Sequence, residues 1–467
     1  MSSKKIKNSK HTLSVFGLIM TNVIAIDSLR SLPLSAVYGT SLIFYYLVAA
    51  VAFFLPSAFV AAELATGWPE TGGIYIWTRE AFGKKIGFMT IFLQWFYNLC
   101  WYPTIMALVA ATIAYLINPE LVNNKIYMFL IILFLFWTAT FLNCFGMRTS
   151  NFMSTFGAII GTLAPIGFII ILSFIWIFKK HPAAINFNLH DFLPNLSSFQ
   201  NLTLLTAMLY GLVGMEMSAA HAREVKNPQR DYPRAMIWST VIILFSMIFG
   251  SLAVAIVVPP AKLNIVSGLL EAFRLFFIEF NLQGLMPLIA CLIIIGALAG
   301  VAAWILSPSK GLLVASEDGS LPKALSKTGK HGAPTRILLI QGILFTGLSS
   351  LFIFMPSVSS TFWVLTDITA ILSLLVYVLM FTAALVLRYK FPNIPRSFKV
   401  PGGLLGLWFF CLLGLTSCVF TLIVGFLPPS QIAVGNIWIY EIILISGVLL
   451  GCVIPWILSG LNKNKKS

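Results

Sequence analysis

Apolar runs of about twenty residues recur along nearly the whole chain, long enough for helices crossing a hydrocarbon layer of about 30 Å. Twelve can be delimited, at 12–40, 41–63, 87–117, 126–146, 150–178, 201–222, 234–258, 284–314, 335–354, 361–388, 405–427 and 438–460. The pattern predicts an all-α integral membrane protein with about twelve transmembrane helices. Two runs are interrupted. Ala25-Ile26-Asp27-Ser28-Leu29-Arg30-Ser31-Leu32-Pro33 puts two charges and a proline in the first, and Tyr210-Gly211-Leu212-Val213-Gly214-Met215-Glu216 puts two glycines and a carboxylate in the sixth. Charges and helix breakers are tolerated at membrane depth where they face protein or a water-filled cavity. Helices 1 and 6 are therefore expected to be discontinuous. Matched interruptions five spans apart are the pattern of an inverted-repeat secondary transporter with its substrate site at the breaks.

The intervals between runs set the orientation. With the N-terminus cytoplasmic, 24 of the 30 Lys and Arg residues fall inside and five outside, with Arg30 within the membrane. The opposite topology inverts this positive-inside bias, so both termini are expected in the cytoplasm. The lysine-rich start, Met1 to Lys10, precedes an apolar run that continues past Asp27, which reads as an uncleaved first span and not a signal peptide. The outward loops 179–200 and 259–283 are the longest, and Gly268-Leu-Leu-Glu-Ala-Phe-Arg-Leu-Phe-Phe277 has the one-sided apolar pattern of a short interfacial helix. Gly157-Ala-Ile-Ile-Gly161 is a small-residue spacing that lets helices approach closely.

Composition sharpens the class. The 467 residues are 59% hydrophobic and only 10% charged. The net charge of +15 is spread over alternate loops, so it carries no nucleic-acid footprint. The six cysteines, Cys100, Cys144, Cys291, Cys411, Cys418 and Cys452, form neither a C-x-x-C pair nor a Cys/His cluster. They read as small buried side chains, with no metal or cofactor expected.

Chemistry concentrates at the breaks. Ile26, Asp27, Ser28 and Arg30 in the first span and Tyr210, Gly211, Gly214 and Glu216 in the sixth are candidate substrate-binding residues. Ser31 can cap a resumed helix with Pro33 in its first turn, presenting free N–H groups to a substrate carboxylate while the preceding half offers carbonyls to an amine. Asp27 and Arg30 either neutralise one another at helical i, i+3 spacing or face substrate, Arg30 toward a carboxylate and Asp27 toward an amine or proton. Glu216 either serves transport or pairs with a neighbouring helix. Trp304 in the eighth span can wall an amine, Tyr377 in the tenth is a further candidate, and Asp367 is an alternative partner for Arg30. The carboxylates Glu216, Asp27 and Asp367, with His221 at a span end, are the proton or pH-coupling candidates.

Four stretches carry a family resemblance. Gly214 to Pro233, Ala62 to Trp77, Ser307 to Pro322 and Gly332-Ala-Pro334 resemble, in order and spacing, signatures of the amino acid/polyamine/organocation permeases. Within that superfamily, Asn227 to Pro233, Trp304 to Gly311, Phe398 to Gly403 and Gly425 to Pro429 are most similar to the bacterial glutamate/GABA antiporters of acid resistance. The resemblance implies two inverted five-helix repeats, about 12–178 and 201–388, forming a core at 12–388. It also implies two accessory helices within 389–460, and short cytoplasmic ends at 1–11 and 461–467. Its implied activity is alternating-access amino acid exchange, with Glu216, Trp304 and Tyr377 matching the transport path. Departures bear on substrate. Arg30 stands where those antiporters have a tyrosine, Gly300 where they have a glutamate, and Ser373 where they have a tyrosine, while Asp27 and Asp367 are additions. One acid lost and one base gained favour a carboxylate-bearing substrate, or a neutral one if Arg30 is internally neutralised. No counterpart of the antiporters' cytoplasmic plug is expected after Ser467.

Coupling stays open at this level. The eighth span has no hydroxyl from Ala297 to Leu306, against sodium, and the fifth has no mid-helix lysine. Amino acid exchange and proton-coupled symport remain, with a non-transporting nutrient sensor as a third reading. A membrane enzyme needs a converging nucleophile and base or a metal motif, which the scattered histidines do not form.

Overall fold

The computed structural model describes residues 14–70, 72–144, 155–194, 202–203, 205–217, 225, 227–322, 325, 334–427 and 435–461. Its helices are α1 Val15–Ile26, α2 Ser31–Ala36, α3 Gly39–Gly67, α4 Ile74–Phe82, α5 Lys84–Ile117, α6 Lys125–Cys144, α7 Gly157–Phe178 and α8 Leu205–Tyr210. They continue as α9 Pro228–Val257, α10 Gly268–Glu279, α11 Met286–Glu317, α12 Thr335–Phe354, α13 Val358–Lys390, α14 Gly403–Gly425 and α15 Ile437–Leu461. Among the described residues, ten helices are long and apolar enough to cross a membrane. The apolar segments that fall short are Val15–Ile26 and Leu205–Met217, the first and sixth expected spans cut by their polar breaks.

Two long helices, α5 and α13, form the centre and are buried along most of their length. The periphery is apolar and exposed, as at Phe134 (68%), Ile423 (66%) and Ile442 (63%). Such a surface suits hydrocarbon, where helices satisfy their own backbone and no water competes. Cys100, Cys411 and Cys418 are buried as expected, but Cys291 is exposed and Cys452 half-buried on this outer face.

The loop between the second and third spans contains an unexpected helix, α4, whose Ile74, Trp77, Thr78 and Ala81 are buried at i, i+3, i+4 and i+7 spacing. The segment expected to lie at the interface forms α10. Its Leu269, Leu270, Phe273, Phe276 and Phe277 are buried, with Phe273 and Phe277 against Phe168 of α7 and Phe276 against Trp176, so α10 packs onto the bundle.

Family-like stretches far apart in sequence lock together at one end of the bundle. Glu63 of α3 accepts from Arg388 Nη2 at 2.7 Å and from the Val400 N–H at 2.8 Å, with Arg396 Nε at 3.4 Å. Arg79 of α4 pairs with Asp318, just after α11, at 2.7 Å, and Tyr75 donates to the same carboxylate oxygen at 2.7 Å. Burial disfavours the Asp318 charge, but the hydrogen bonds from Tyr75 and Arg79 and the Arg79 charge outweigh it and hold its pKa below the usual carboxylate range. This link therefore persists at neutral and mildly acidic pH and is lost only as pH falls through that lowered value.

Helix α7 opens with a π-helical turn, Gly157–Leu163, where it crosses α11 at backbone contact. A Cβ on Gly161 would lie 2.2 Å from Gly296 N, one on Gly296 would lie 2.2 Å from Gly161 O, and one on Gly157 would lie 2.4 Å from Ala299 Cβ. The Gly157-x-x-x-Gly161 spacing is thus a packing device. Gly161→Leu is expected to lower the melting temperature in detergent, overpacking costing about 1–3 kcal/mol. Gly167→Leu, at a position with open space, is expected to melt like the parent. Equal melting of Gly161→Leu and the parent would contradict the crossing.

Candidate functional site

The two interruptions lie side by side. Helix α1 ends at Ile26, the ψ of 104° at Asp27 takes the chain out of the helix, and α2 resumes at Ser31. Ser31 does not cap α2: it is the first helical residue, Arg30 occupies the cap position, and no side chain caps the helix. The resumed helix has six residues, and the Ser31 and Leu32 N–H groups already bond to Ser28 and Leu29 carbonyls at 2.9 and 3.4 Å. The break therefore offers a carboxylate fewer free donors than expected.

Helix α8 ends at Tyr210, and a turn through Gly211 leads to Gly214. Gly214 has φ +133°, a conformation that L side chains rarely adopt, and a Cβ there would lie 2.9 Å from Ile26 Cγ1. Glycine at 214 is what lets the second break touch the first. The Trp304 indole N–H donates to the Ala25 carbonyl at 3.1 Å, taking one of the carbonyls expected to face an amine. Its ring packs against Tyr97 and Trp101 of α5.

Arg30 is 2% exposed. Its Nη1 donates to Thr366 Oγ1 at 3.0 Å, and its guanidinium lies over the rings of Tyr210 and Phe362, each 5.5 Å from the centroid. Among the described residues it has no ion-pair partner, and its Nε has no hydrogen bond. Both expected internal partners are corrected. Asp27 accepts from Ser246 Oγ of α9 at 2.5 Å. The i, i+3 pairing rule fails because the helix stops between the two residues. Asp367 accepts from Tyr440 of α15 at 2.8 Å. Consecutive residues of an α-helix point about 100° apart, so Thr366 reaches Arg30 while Asp367 faces away.

Glu216 sits in a neutral cluster. The Tyr377 hydroxyl donates to its carboxylate and accepts from the Gly214 N–H at 2.9 Å, while Gln94 Nε2 lies 3.3 Å from Glu216 Oε1.

Two small cavities follow the breaks, each of about 30 Å³. Ile26, Ser28, Arg30, Tyr210, Gly211 and Trp304 line one. Asp27, Ser28 and Gly300 line the other, where a Cβ on Gly300 would meet only the Ile24 carbonyl, at 3.6 Å. Gly214, Glu216 and Tyr377 form the adjoining cluster, Asp367 stands apart, and His221 lies outside the described residues. Sequence reasoning missed Gln94, Tyr97 and Trp101, and also Ser246, Phe362 and Thr366. The first three were findable: with Asn98 they form a polar-aromatic face at helical spacing inside an apolar span.

Against known proteins, the amino acid permease family model matches residues 11–448. The chain belongs to the amino acid permease family. This permease is 53% identical over 450 residues to an uncharacterized transporter of Legionella pneumophila, covering 96% of this chain and 97% of the relative. It is 30% identical over 459 residues to a glutamate/gamma-aminobutyrate antiporter of Lactococcus lactis, covering 97% and 91%. A probable agmatine/putrescine antiporter of the same species is 23% identical over 399 residues, covering 85% and 84%. The permease is an integral membrane protein of a transporter family, within the superfamily that its sequence resembles.

Removing the Tyr377 hydroxyl leaves Glu216 and the Gly214 N–H without their shared partner. Tyr377→Phe is expected to slow transport at least tenfold, since a hydrogen bond to a charged group is worth about 1.5–3 kcal/mol. Glu216→Gln is expected to abolish transport or flatten its pH dependence. Both should leave membrane-inserted protein on size-exclusion chromatography, and parental rates and pH profile in both would remove the cluster from the transport path.

Proposed function

We propose that this permease exchanges amino acids across a bacterial inner membrane by alternating access, with a carboxylate-bearing substrate such as glutamate or GABA held between the broken helices opposite Arg30. The observation carrying this reading is that buried guanidinium: it lines a cavity, touches only neutral described groups, and has neither Asp27 nor Asp367 as counter-ion. A buried cation without an anion is unfavourable, and a substrate carboxylate supplies one. The names of the Lactococcus lactis relatives, both antiporters, support exchange.

In this reading the chain has twelve spans, the short apolar segments at the breaks making up the first and sixth. Residues 12–388 form the transport core of two inverted repeats, 12–178 and 201–388. The helices within 389–460 are accessory, and the basic ends 1–11 and 461–467 are cytoplasmic. Ile26, Ser28, Tyr210, Gly211, Gly214, Gly300, Trp304 and Tyr377 complete the substrate path.

Proton-coupled symport is the second reading, favoured by one observation. Asp27 is buried, lines a cavity, and keeps one carboxylate oxygen without a hydrogen bond. It shares that cavity with Gly300, the position where the resemblance leads one to expect an acid.

Uptake of labelled amino acids into proteoliposomes, preloaded or empty, at acidic and neutral pH tests both readings. Exchange predicts uptake only into preloaded vesicles; uptake into empty vesicles driven by an inward proton gradient selects symport. Arg30→Tyr is expected to reduce preference for acidic over neutral substrates about tenfold to a hundredfold, the scale of a lost charge-assisted hydrogen bond. An unchanged ranking would remove Arg30 from substrate recognition.

A further inference from the structure

Arg30 is held in a way that leaves one edge of its guanidinium unused. A guanidinium is planar and carries five N–H donors in a fixed fork. One of those on Nη1 goes to Thr366 Oγ1 at 3.0 Å. The Thr366 hydroxyl gives its own proton to the Phe362 carbonyl, one turn earlier on α13, at 2.7 Å. Its oxygen therefore faces Arg30 as an acceptor only. Phe362 also sets its ring beside the guanidinium, so a single turn of α13 supplies both the acceptor and an aromatic face. Tyr210, where α8 ends, supplies a second ring.

Nη1 lies on the Cδ side of the guanidinium. Anchoring it leaves the opposite edge, the Nε–H with its neighbour Nη2, intact as a pair of parallel donors. Among the described residues neither of these nitrogens makes a hydrogen bond, and Nε is fully buried. Arg30 lines the cavity shared with Ser28, Tyr210 and Trp304, and among the described residues no acid lines it. A bidentate donor pair at a cavity without an anion is the complement of a planar carboxylate.

Given the carboxylate reading above, we propose that Thr366 is a positioning residue for substrate selection. It fixes Arg30 so that the Nε–Nη2 edge takes the side-chain carboxylate of an acidic amino acid in two parallel hydrogen bonds. A carboxamide would turn its N–H₂ group against one of the two donors, so the edge rejects the amide of the same shape. A lysine at position 30 would keep the charge and lose the fork.

Inhibition of labelled glutamate uptake by unlabelled glutamate and glutamine tests this, in preloaded proteoliposomes of the full-length permease with an inward proton gradient. The parent is expected to favour glutamate at least tenfold. Thr366→Val should raise the half-inhibitory concentration of glutamate about tenfold, the scale of one hydrogen bond to a charged group, and leave that of glutamine nearly unchanged. Thr366→Ala also removes the hydroxyl and is the second variant where valine misfolds. Thr366→Ser keeps the hydroxyl and should rescue the preference, whereas Arg30→Lys should lose it. A parent that takes up no glutamate, or does not prefer it to glutamine, overturns the acidic-substrate reading itself. A parental preference retained without the Thr366 hydroxyl overturns the positioning role alone, and equal weakening of both inhibitors reduces Thr366 to a structural part. A parental preference in Arg30→Lys would show that charge suffices and overturn the two-bond geometry.

Discussion

A peptide group that loses its helical partner inside hydrocarbon costs several kcal/mol unless another group replaces it. The centre of this permease is organised by that constraint. Breaking two helices side by side frees carbonyls and N–H groups where no lipid can satisfy them, and the surrounding helices supply the replacements. Trp304 of α11 takes the Ala25 carbonyl, Tyr377 of α13 takes the Gly214 N–H, and tight local bonds take up Ser31 and Leu32. The breaks are thereby fastened to the long helices, the first to α11 and the second to α13.

The charges follow a different rule at the centre than at the end of the bundle. Glu63 with Arg388, and Asp318 with Arg79, meet opposite charge directly, which ties helix ends together. At the breaks each charge has a hydroxyl instead: Ser246 for Asp27, Thr366 for Arg30, Tyr377 for Glu216, and Tyr440 for Asp367 further out. A hydroxyl can donate to a carboxylate or accept from a guanidinium, so it holds the side chain in place without cancelling its charge. The centre thus keeps electrostatic capacity that the ends have used up.

What was legible in the sequence is what depends on hydrophobic run length. The long membrane helices, both interruptions and the close-packing glycines of α7 were readable because apolar periodicity and helix breakers act locally. What was not legible depends on which way a side chain turns once the helix stops. Asp27 and Arg30 looked like a helical pair until the backbone left the helix at Asp27, and Asp367 looked like a partner for Arg30 when its neighbour Thr366 was the residue on that face. Helix α4 was hidden because it is short and sits in a segment too polar to count as a span, although its buried positions keep helical spacing. The α5 face of Gln94, Tyr97, Asn98 and Trp101 was visible in principle and was passed over because the span reads as apolar overall.

The cavities at the breaks have a thermodynamic consequence. At about 30 Å³ each, they have room for ordered water but not for an amino acid. On the proposed reading, the conformation that admits a solute is a different member of the ensemble, and the apparent dissociation constant is the intrinsic one divided by the fraction of molecules in that member. Apparent affinity then becomes a property of helix packing as much as of the binding residues. A substitution outside the breaks that favours that member would tighten apparent binding without adding a single contact to the solute.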